Sequence, residues 1–342
     1  MISVSDTSEV CIIIFLLEVV MPNAQNHLLT LVRRSKLFVP VNREKFVEKA
    51  WTRGADVIIL DLEDAIAPSD KDSARKLVKD VIPIVKKGGA EIQVRINRDN
   101  REIEEEDLSA IMVPGLDGVM IPKPEYPEEV QLIDRIVTRL EQERGFPAGK
   151  IYFDLIVETA AGVVNINSIA KASPRITQMN IGQGDLSVSM GFPRFIELNF
   201  EQYFYAENAL LFAARAAGVQ AHSLGAQNGV DFTSISMGDE AMFKSCQHAQ
   251  WMGFMGASII HPGWVTACNE GFKPPQKDLE MAKKVKAALD EAYAKGEGSV
   301  TVDGRMYDVA NMKHVNYILA RAEAITRREA EKAAALSAVK GA

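Results

Sequence analysis

The stretch IYFDLIVETAAG, Ile151 to Gly162, decides the fold. Apolar residues run from Ile151 through Val157, and the run ends on Glu158-Thr159 before turning through Ala160, Ala161 and Gly162. A short, nearly continuous apolar run closed by a polar tip is the pattern of a parallel strand buried on both faces. A second stretch of the same design follows, Ile176 to Ile181 and then Gly182-Gln183-Gly184-Asp185. The sixth strand is therefore expected to reach Asp185. Two carboxylates at successive strand tips can share one hard divalent cation, since such ions take oxygen ligands and keep water or substrate oxygens in their remaining positions. Glu158 and Asp185 are the candidate metal pair; each stands beside glycine, where a ligand can come close to the backbone.

Working outward, strands and helices alternate. Strands are expected at 37–40, 57–62, 92–97, 118–122, 151–159, 176–185, 219–224 and 256–261. Helices are expected at 42–54, from a Ser69-Asp70 cap to 87, at 104–112, 126–144, 200–217 and 236–251. Eight strands alternating with helices predict a (β/α)8 TIM barrel rather than an open doubly wound sheet. Beyond His261 the rhythm changes: a helix over 278–294, a hairpin turning at Asp303-Gly304, and a last long helix from Asp308 to about Ala335. Three regions result: an N-terminal extension at 1–30, a barrel at 31–270 and a C-terminal hairpin and helical cap at 271–342. The last is expected to cover the barrel mouth or to reach a neighbouring subunit.

The 342 residues, 47% of them hydrophobic, suffice for one large core. A net charge of 39 − 46 = −7 argues against nucleic-acid binding, so an anionic ligand needs local Arg and Lys. The odd set Cys11, Cys246 and Cys268 fits no metal or redox spacing and points to a reducing cytoplasm. The apolar run Val10 to Leu17 is too short for a membrane span and lacks basic residues before it, so neither an anchor nor a secretory signal is expected. Met21 is an alternative start, and nothing catalytic is expected before about residue 30.

Barrel enzymes work at the C-terminal ends of their strands. The residues expected there are Glu63, Asp64, Arg95, Asn97, Lys123, Glu158, Asp185 and His261. Glu63 and Asp64 read as ligands or as an ion-pair set. Arg95, inside a strand, needs an anionic partner, either a substrate or one of those two acids. Lys123 reads as their neutraliser, and His261 as a structural or a site residue.

With these residues in place, the chain resembles the HpcH/HpaI aldolase and citrate lyase β-subunit family, on the malyl-CoA and citramalyl-CoA lyase branch. The resemblance rests on RSKLFVPVN at 34–42, GADVIILDLEDAIAPSDKDSAR at 54–75, VRIN at 94–97, GLDGVMIPKPE at 115–125, IVETAAGV at 156–163, IGQGDLSVSMG at 181–191, IIHPGWV at 259–265 and VDGRMYDVANMKHVNYIL at 302–319. It implies a TIM barrel that makes or breaks a carbon–carbon bond beside a coenzyme A thioester. It implies Mg²⁺, with Mn²⁺ an alternative, on Glu158 and Asp185. It places Arg95 at the reacting carbonyl oxygens, Glu63 and Asp64 near the metal, and Asp308 as an acid/base group supplied by an adjacent subunit. Phe38 and Arg43 fall where the coenzyme A nucleotide is held. The full C-terminal segment implies a homotrimer or hexamer. Three other outcomes are kept: a malyl-CoA-type thioester hydrolase, a citrate lyase subunit that meets an acyl carrier protein, and an aldolase acting on a free 2-oxo acid. The segment 221–234 and Gln183 depart from the family pattern, which bears on the acid half of the substrate.

Overall fold

A computed structural model describes residues 29–98, 105–192, 200–224 and 238–341. Residues 1–28 of the N-terminal extension and most of the 221–234 departure lie outside the described residues. Eight parallel strands run in sequence order: β1 (Ser35–Pro40), β2 (Val57–Asp61), β3 (Glu91–Arg95), β4 (Gly118–Pro122), β5 (Tyr152–Val157), β6 (Ile176–Ile181), β7 (Gln220–His222) and β8 (Ala257–Ile259). From β1 to β7 each pairs with the next, and β8 pairs with β1. Between β7 and β8, the Ser223 N–H donates to Gly256 O at 2.9 Å and the Met255 N–H to Ala221 O at 3.0 Å, which closes the ring. The chain is a TIM barrel.

Alternation along each strand sorts the side chains. In β5, Phe153, Leu155 and Val157 join the main core between strands and helices, whereas Ile156 faces a smaller cluster with Val57, Ile59, Met120 and Phe38. Beside that cluster, at the same strand levels, the interior is polar. Lys36 donates to Asp154 and to Asn180, each at 2.7 Å, and all three are buried. The apolar reading of β5 passed over Asp154, whose partner stands far off in sequence on β1.

Two boundaries differ from expectation. β6 stops at Ile181, and Asp185 lies in the first turn of the helix Gln183–Ser189. Gly182, at φ −88° and ψ 91°, leads the chain out of the sheet and into that helix. Ahead of the helix Lys71–Val85, Asp70 occupies the N-cap but makes no side-chain cap hydrogen bond; a 3-10 turn, Pro68–Asp70, leads into that helix instead.

The C-terminal segment has its own small core: Ala282, Val285, Leu289, Val302 and Val315. These come from the helix Gln276–Ala294, the antiparallel hairpin β9 (Ser299–Val302) and β10 (Arg305–Asp308), and the helix Val309–Lys340. Asp303 and Gly304 both have positive φ, +49° and +76°, as a two-residue hairpin turn of this twist requires. The long last helix does not cover the mouth. Its Arg321 donates to the carbonyls of Leu31 and Met255, its Lys332 to Gly54 O and Asp56, and its Glu329 pairs with Arg34. Those groups precede β1, β2 and β8, so the helix crosses the N-terminal end of the barrel, where its cations meet strand-entry carbonyls and Asp56.

Asp56 anchors that contact. It is fully buried, takes Arg34 Nε at 2.8 Å and Nη2 at 3.1 Å, and meets Lys332 on its other side. Burial opposes its charge, but the Arg34 guanidinium and Lys332 more than offset that and hold the carboxyl well below the usual range. Asp56→Ala is expected to cost about 3–5 kcal/mol, because it strips buried Lys332 of its carboxylate and leaves Arg34 only the partly exposed Glu329. A depressed carboxyl contributes stability above its ordinary pKa and loses it as pH falls, so the gap between wild type and variant should narrow below about pH 4. Urea unfolding at pH 7 and pH 3 reads both; a loss under about 1 kcal/mol at pH 7 would deny the cluster this role.

Candidate active site

At the C-terminal ends of the strands lies a cavity of about 990 Å³. Its wall carries Phe38, Asp61, Asp64, Arg95, Glu158 and Asp185, with Asn180, Ser258 and His261 around them. Most of the sequence-predicted set is thus brought together, and Glu63 and Lys123 join it through ion pairs.

Arg95 is the most heavily engaged. Nε and Nη2 donate to the two oxygens of Asp61 at 2.7 and 2.6 Å, a bidentate fork. Nη1 donates to Asp64 at 3.0 Å. Glu63 Oε2 also lies 2.9 Å from Nη1, an ion pair without an aligned hydrogen bond. The guanidinium carbon stands 4.9 Å from the Phe38 ring centroid. Sequence reasoning named Glu63 and Asp64 as partners and missed Asp61, the closest one. The signal was an aspartate closing the apolar run of β2, register-paired with Arg95 itself.

Lys123 follows β4 with φ +52°, a left-handed conformation that a non-glycine residue holds only when its surroundings dictate it. Its ammonium sits 2.9 Å from both Glu63 and Asp185. Burial works against that charge, but the hydrogen bonds to Glu63 and Asp185 hold it above the ordinary lysine range.

Glu158 is 4% exposed, and its Oε1 is buried with no hydrogen-bond partner among the described residues. Burial first, then the negative charges of Glu63 and Asp185, hold its carboxyl well above the usual range. The residues after it are fixed locally. Thr159 Oγ1 accepts from the Gly162 N–H at 3.0 Å, capping a short helix, and a Cβ on Gly162 would come within 2.6 Å of Pro124 O. A Cβ on Gly182 would collide with the Glu158 side chain, so that glycine keeps room for the carboxylate.

An unpartnered carboxylate oxygen crowded by two other acids is a setting that a divalent cation relieves, and the donor set suits a hard ion. Among the described residues no three His, Cys, Asp or Glu side chains converge to hold an ion by themselves. An ion at Glu158 and Asp185 would therefore take its other ligands from substrate and water, the usual habit of Mg²⁺.

His261 Nδ1 accepts from the Gly263 N–H at 3.2 Å. Arg43 is exposed and off the cavity wall, which instead carries the cations Lys45, Lys49 and Arg53 from the same segment. Asp308 is also off that wall; it caps the last helix, accepting from the Ala310 N–H at 2.9 Å. No helix among the described residues is long and apolar enough to cross a membrane.

The family model described as HpcH/HpaI aldolase/citrate lyase matches residues 34–262. The citrate lyase subunit beta of Leuconostoc mesenteroides subsp. cremoris is 34% identical, over 81% of this chain and 89% of that one. An L-malyl-CoA/beta-methylmalyl-CoA lyase of Cereibacter sphaeroides is 32% identical, over 86% of this chain and 95% of that one. Among solved structures, protein CitE of Mycobacterium tuberculosis in complex with magnesium, acetoacetate and coenzyme A superposes with a TM-score of 0.65 at 26% identity, covering 86% of this chain and 99% of that one.

Proposed function

The chain belongs to the HpcH/HpaI aldolase/citrate lyase family, and from that premise we propose that it is an oxo-acid carbon–carbon lyase acting on a 3-hydroxyacyl-CoA thioester of the malyl-CoA or citramalyl-CoA kind. The observation that carries this reading is the pairing, on one cavity wall, of an acid-crowded, unpartnered Glu158 with the guanidinium fork of Arg95. Relatives of this chain bear the names of such lyases, and one solved relative holds magnesium and coenzyme A.

Cleavage of a 3-hydroxyacyl thioester, its hydroxyl proton passing to a base, breaks the carbon–carbon bond and leaves a 2-oxo acid and a thioester enolate. The enolate is the costly species, so stabilisation of its charge is the main demand on the site. Arg95 meets it: Nε and Nη2 are locked on Asp61 and fix the plane of the fork, and Nη1, which bonds Asp64, has a second N–H to donate to the enolate oxygen. Lys123 and Arg95 keep Glu63 and Asp64 from repelling the anionic substrate. Mg²⁺ held by Glu158 and Asp185, with Mn²⁺ able to replace it, would supply Lewis-acid polarisation and a template for the acid half. Phe38, on the cavity wall, and Arg43, exposed outside it, would hold the coenzyme A nucleotide. Asp308 of a second copy of this chain moves the proton at the thioester methyl carbon, in a homotrimer or hexamer.

Asp308→Asn keeps a side chain that caps a helix as well as aspartate does, so the fold should be intact. Condensation of acyl-CoA with a 2-oxo acid, and solvent proton exchange at the methyl carbon, should fall about 10²–10⁴-fold. Metal affinity should not change. Lost metal binding in this variant would make Asp308 a metal ligand instead.

The function itself is tested with a panel of 3-hydroxyacyl-CoA thioesters and Mg²⁺, reading 2-oxo acid and acyl-CoA by mass spectrometry. Paired release of both supports the lyase. Free coenzyme A and a hydroxy acid without any 2-oxo acid would make the chain a thioester hydrolase. Turnover only on an acyl-carrier-protein thioester would make it a citrate lyase subunit.

A further inference from the structure

The helix Phe200–Ala217 carries an acid, Glu207, that has no solvent exposure. Both of its hydrogen bonds among the described residues come from neutral groups, the Ser223 hydroxyl at 2.7 Å and the Gln183 amide at 3.0 Å. Both land on Oε1; Oε2 is buried with no partner among the described residues. Burial pushes the carboxyl up to about 7, against those two bonds. An acid sealed away without a cation stabilises a fold less than an apolar side chain of its size would. Stability alone therefore does not explain Glu207, and what it holds must.

Gln183 opens the helix whose first turn carries Asp185, and Ser223 directly follows β7. Tyr203, one turn earlier on the same helix as Glu207, donates its hydroxyl to the Gln183 carbonyl at 3.2 Å. The turn is thus gripped at both its side chain and its backbone. Asp185 itself is held from the opposite side by Lys123 at 2.9 Å. We infer that Glu207 is a positioning residue of this site: through Gln183 it fixes the turn that presents Asp185 to the cavity, and through Ser223 it ties that turn to the tip of β7.

The inference deepens the metal reading of Asp185 and rests on it, so the test separates the two. Glu207→Leu fills the same space without an acceptor. Glu207→Gln keeps a carbonyl oxygen at the Oε1 position, which can accept both bonds. In the full chain, Glu207→Leu should weaken Mn²⁺ binding, titrated by electron paramagnetic resonance, by about 10-fold or more, in the range seen when groups supporting metal ligands are removed. It should lower kcat with KM for the thioester unchanged and speed hydrogen–deuterium exchange over residues 182–190. Glu207→Gln should restore all three. Should Glu207→Leu fail to fold, Gln183→Met removes the same bond from its other end and should show the same pattern. Wild-type Mn²⁺ affinity and exchange in the folded leucine variant, or a glutamine variant as impaired as the leucine one, would overturn the inference. Asp185→Asn is the control. If it binds Mn²⁺ as tightly as wild type while Glu207→Leu still exchanges faster, the metal reading falls and the positioning role stands.

Discussion

Glu158→Ala, and separately Asp185→Ala, should abolish metal-dependent turnover, a loss of about 10³-fold or more if the ion supplies the several kcal/mol of charge stabilisation typical of such centres. The two variants should differ in stability. Glu158 is buried, crowded by Glu63 and Asp185, and has an unpartnered oxygen, so its removal relieves repulsion. The metal-free Glu158→Ala chain is expected to be as stable as wild type or more so. Asp185 is partly exposed and pairs with Lys123 at 2.9 Å, so Asp185→Ala leaves that ammonium to Glu63 and should cost about 1 kcal/mol or less. Added Mg²⁺ should raise the Tm of the wild type and of neither variant. The check is activity and Tm after dialysis against chelator, with and without Mg²⁺. Near-wild-type turnover in either variant would falsify the metal assignment.

Arg95→Met should lower kcat/KM by about 10²–10³-fold, the usual cost of losing a donor aimed at developing charge. It should also destabilise the chain by about 3 kcal/mol, because buried acids lose their cation. The pH dependence has a definite sign. Burial holds the Glu63 carboxyl above its usual range, and Arg95 is the first group pulling it down. Without Arg95 it rises further, and a raised carboxyl contributes stability that is lost as pH increases. The variant should therefore lose more stability at pH 8 than at pH 5. Arg95→Lys separates the two roles. Lysine keeps the charge, and so most of the stability, but it lacks the planar fork that Asp61 locks. Its activity should stay at least about 10-fold down, since a point charge does not replace an oriented pair of donors. Full kcat/KM in Arg95→Lys would show that position 95 serves the fold and not the reaction.

The polar side chains divide by how far their partners lie along the chain. Glu158 was legible because an acid closing an apolar run beside Thr-Ala-Ala-Gly has few structural uses. Asp185 was legible as a residue of the strand-tip end but not as a helical one, since a glycine-flanked turn reads equally well as an extended tip. Arg95 visibly needed a partner, yet Asp61 was hidden within the same apolar run that identified β2. Glu207 gave no signal at all. A glutamate in the long amphipathic pattern at 200–217 reads as a solvated face until β6 and β7 are seen to close over it.

The sequence by itself determined that this is an eight-stranded parallel barrel with an acidic mouth and which family it joins. Parallel strands buried on both faces are apolar over most of their length, and that leaves a repeating mark at each strand and each strand tip. Only the tertiary structure decided which charges meet: Arg95 with Asp61, Lys36 with Asp154, Lys123 between Glu63 and Asp185, and Gln183 with Glu207. It alone laid the last helix across the barrel's N-terminal end and not its mouth. Hydropathy records that a group leaves water, but not what it meets there; in a closed barrel, strand register and stagger choose that partner from strands that lie far apart along the chain.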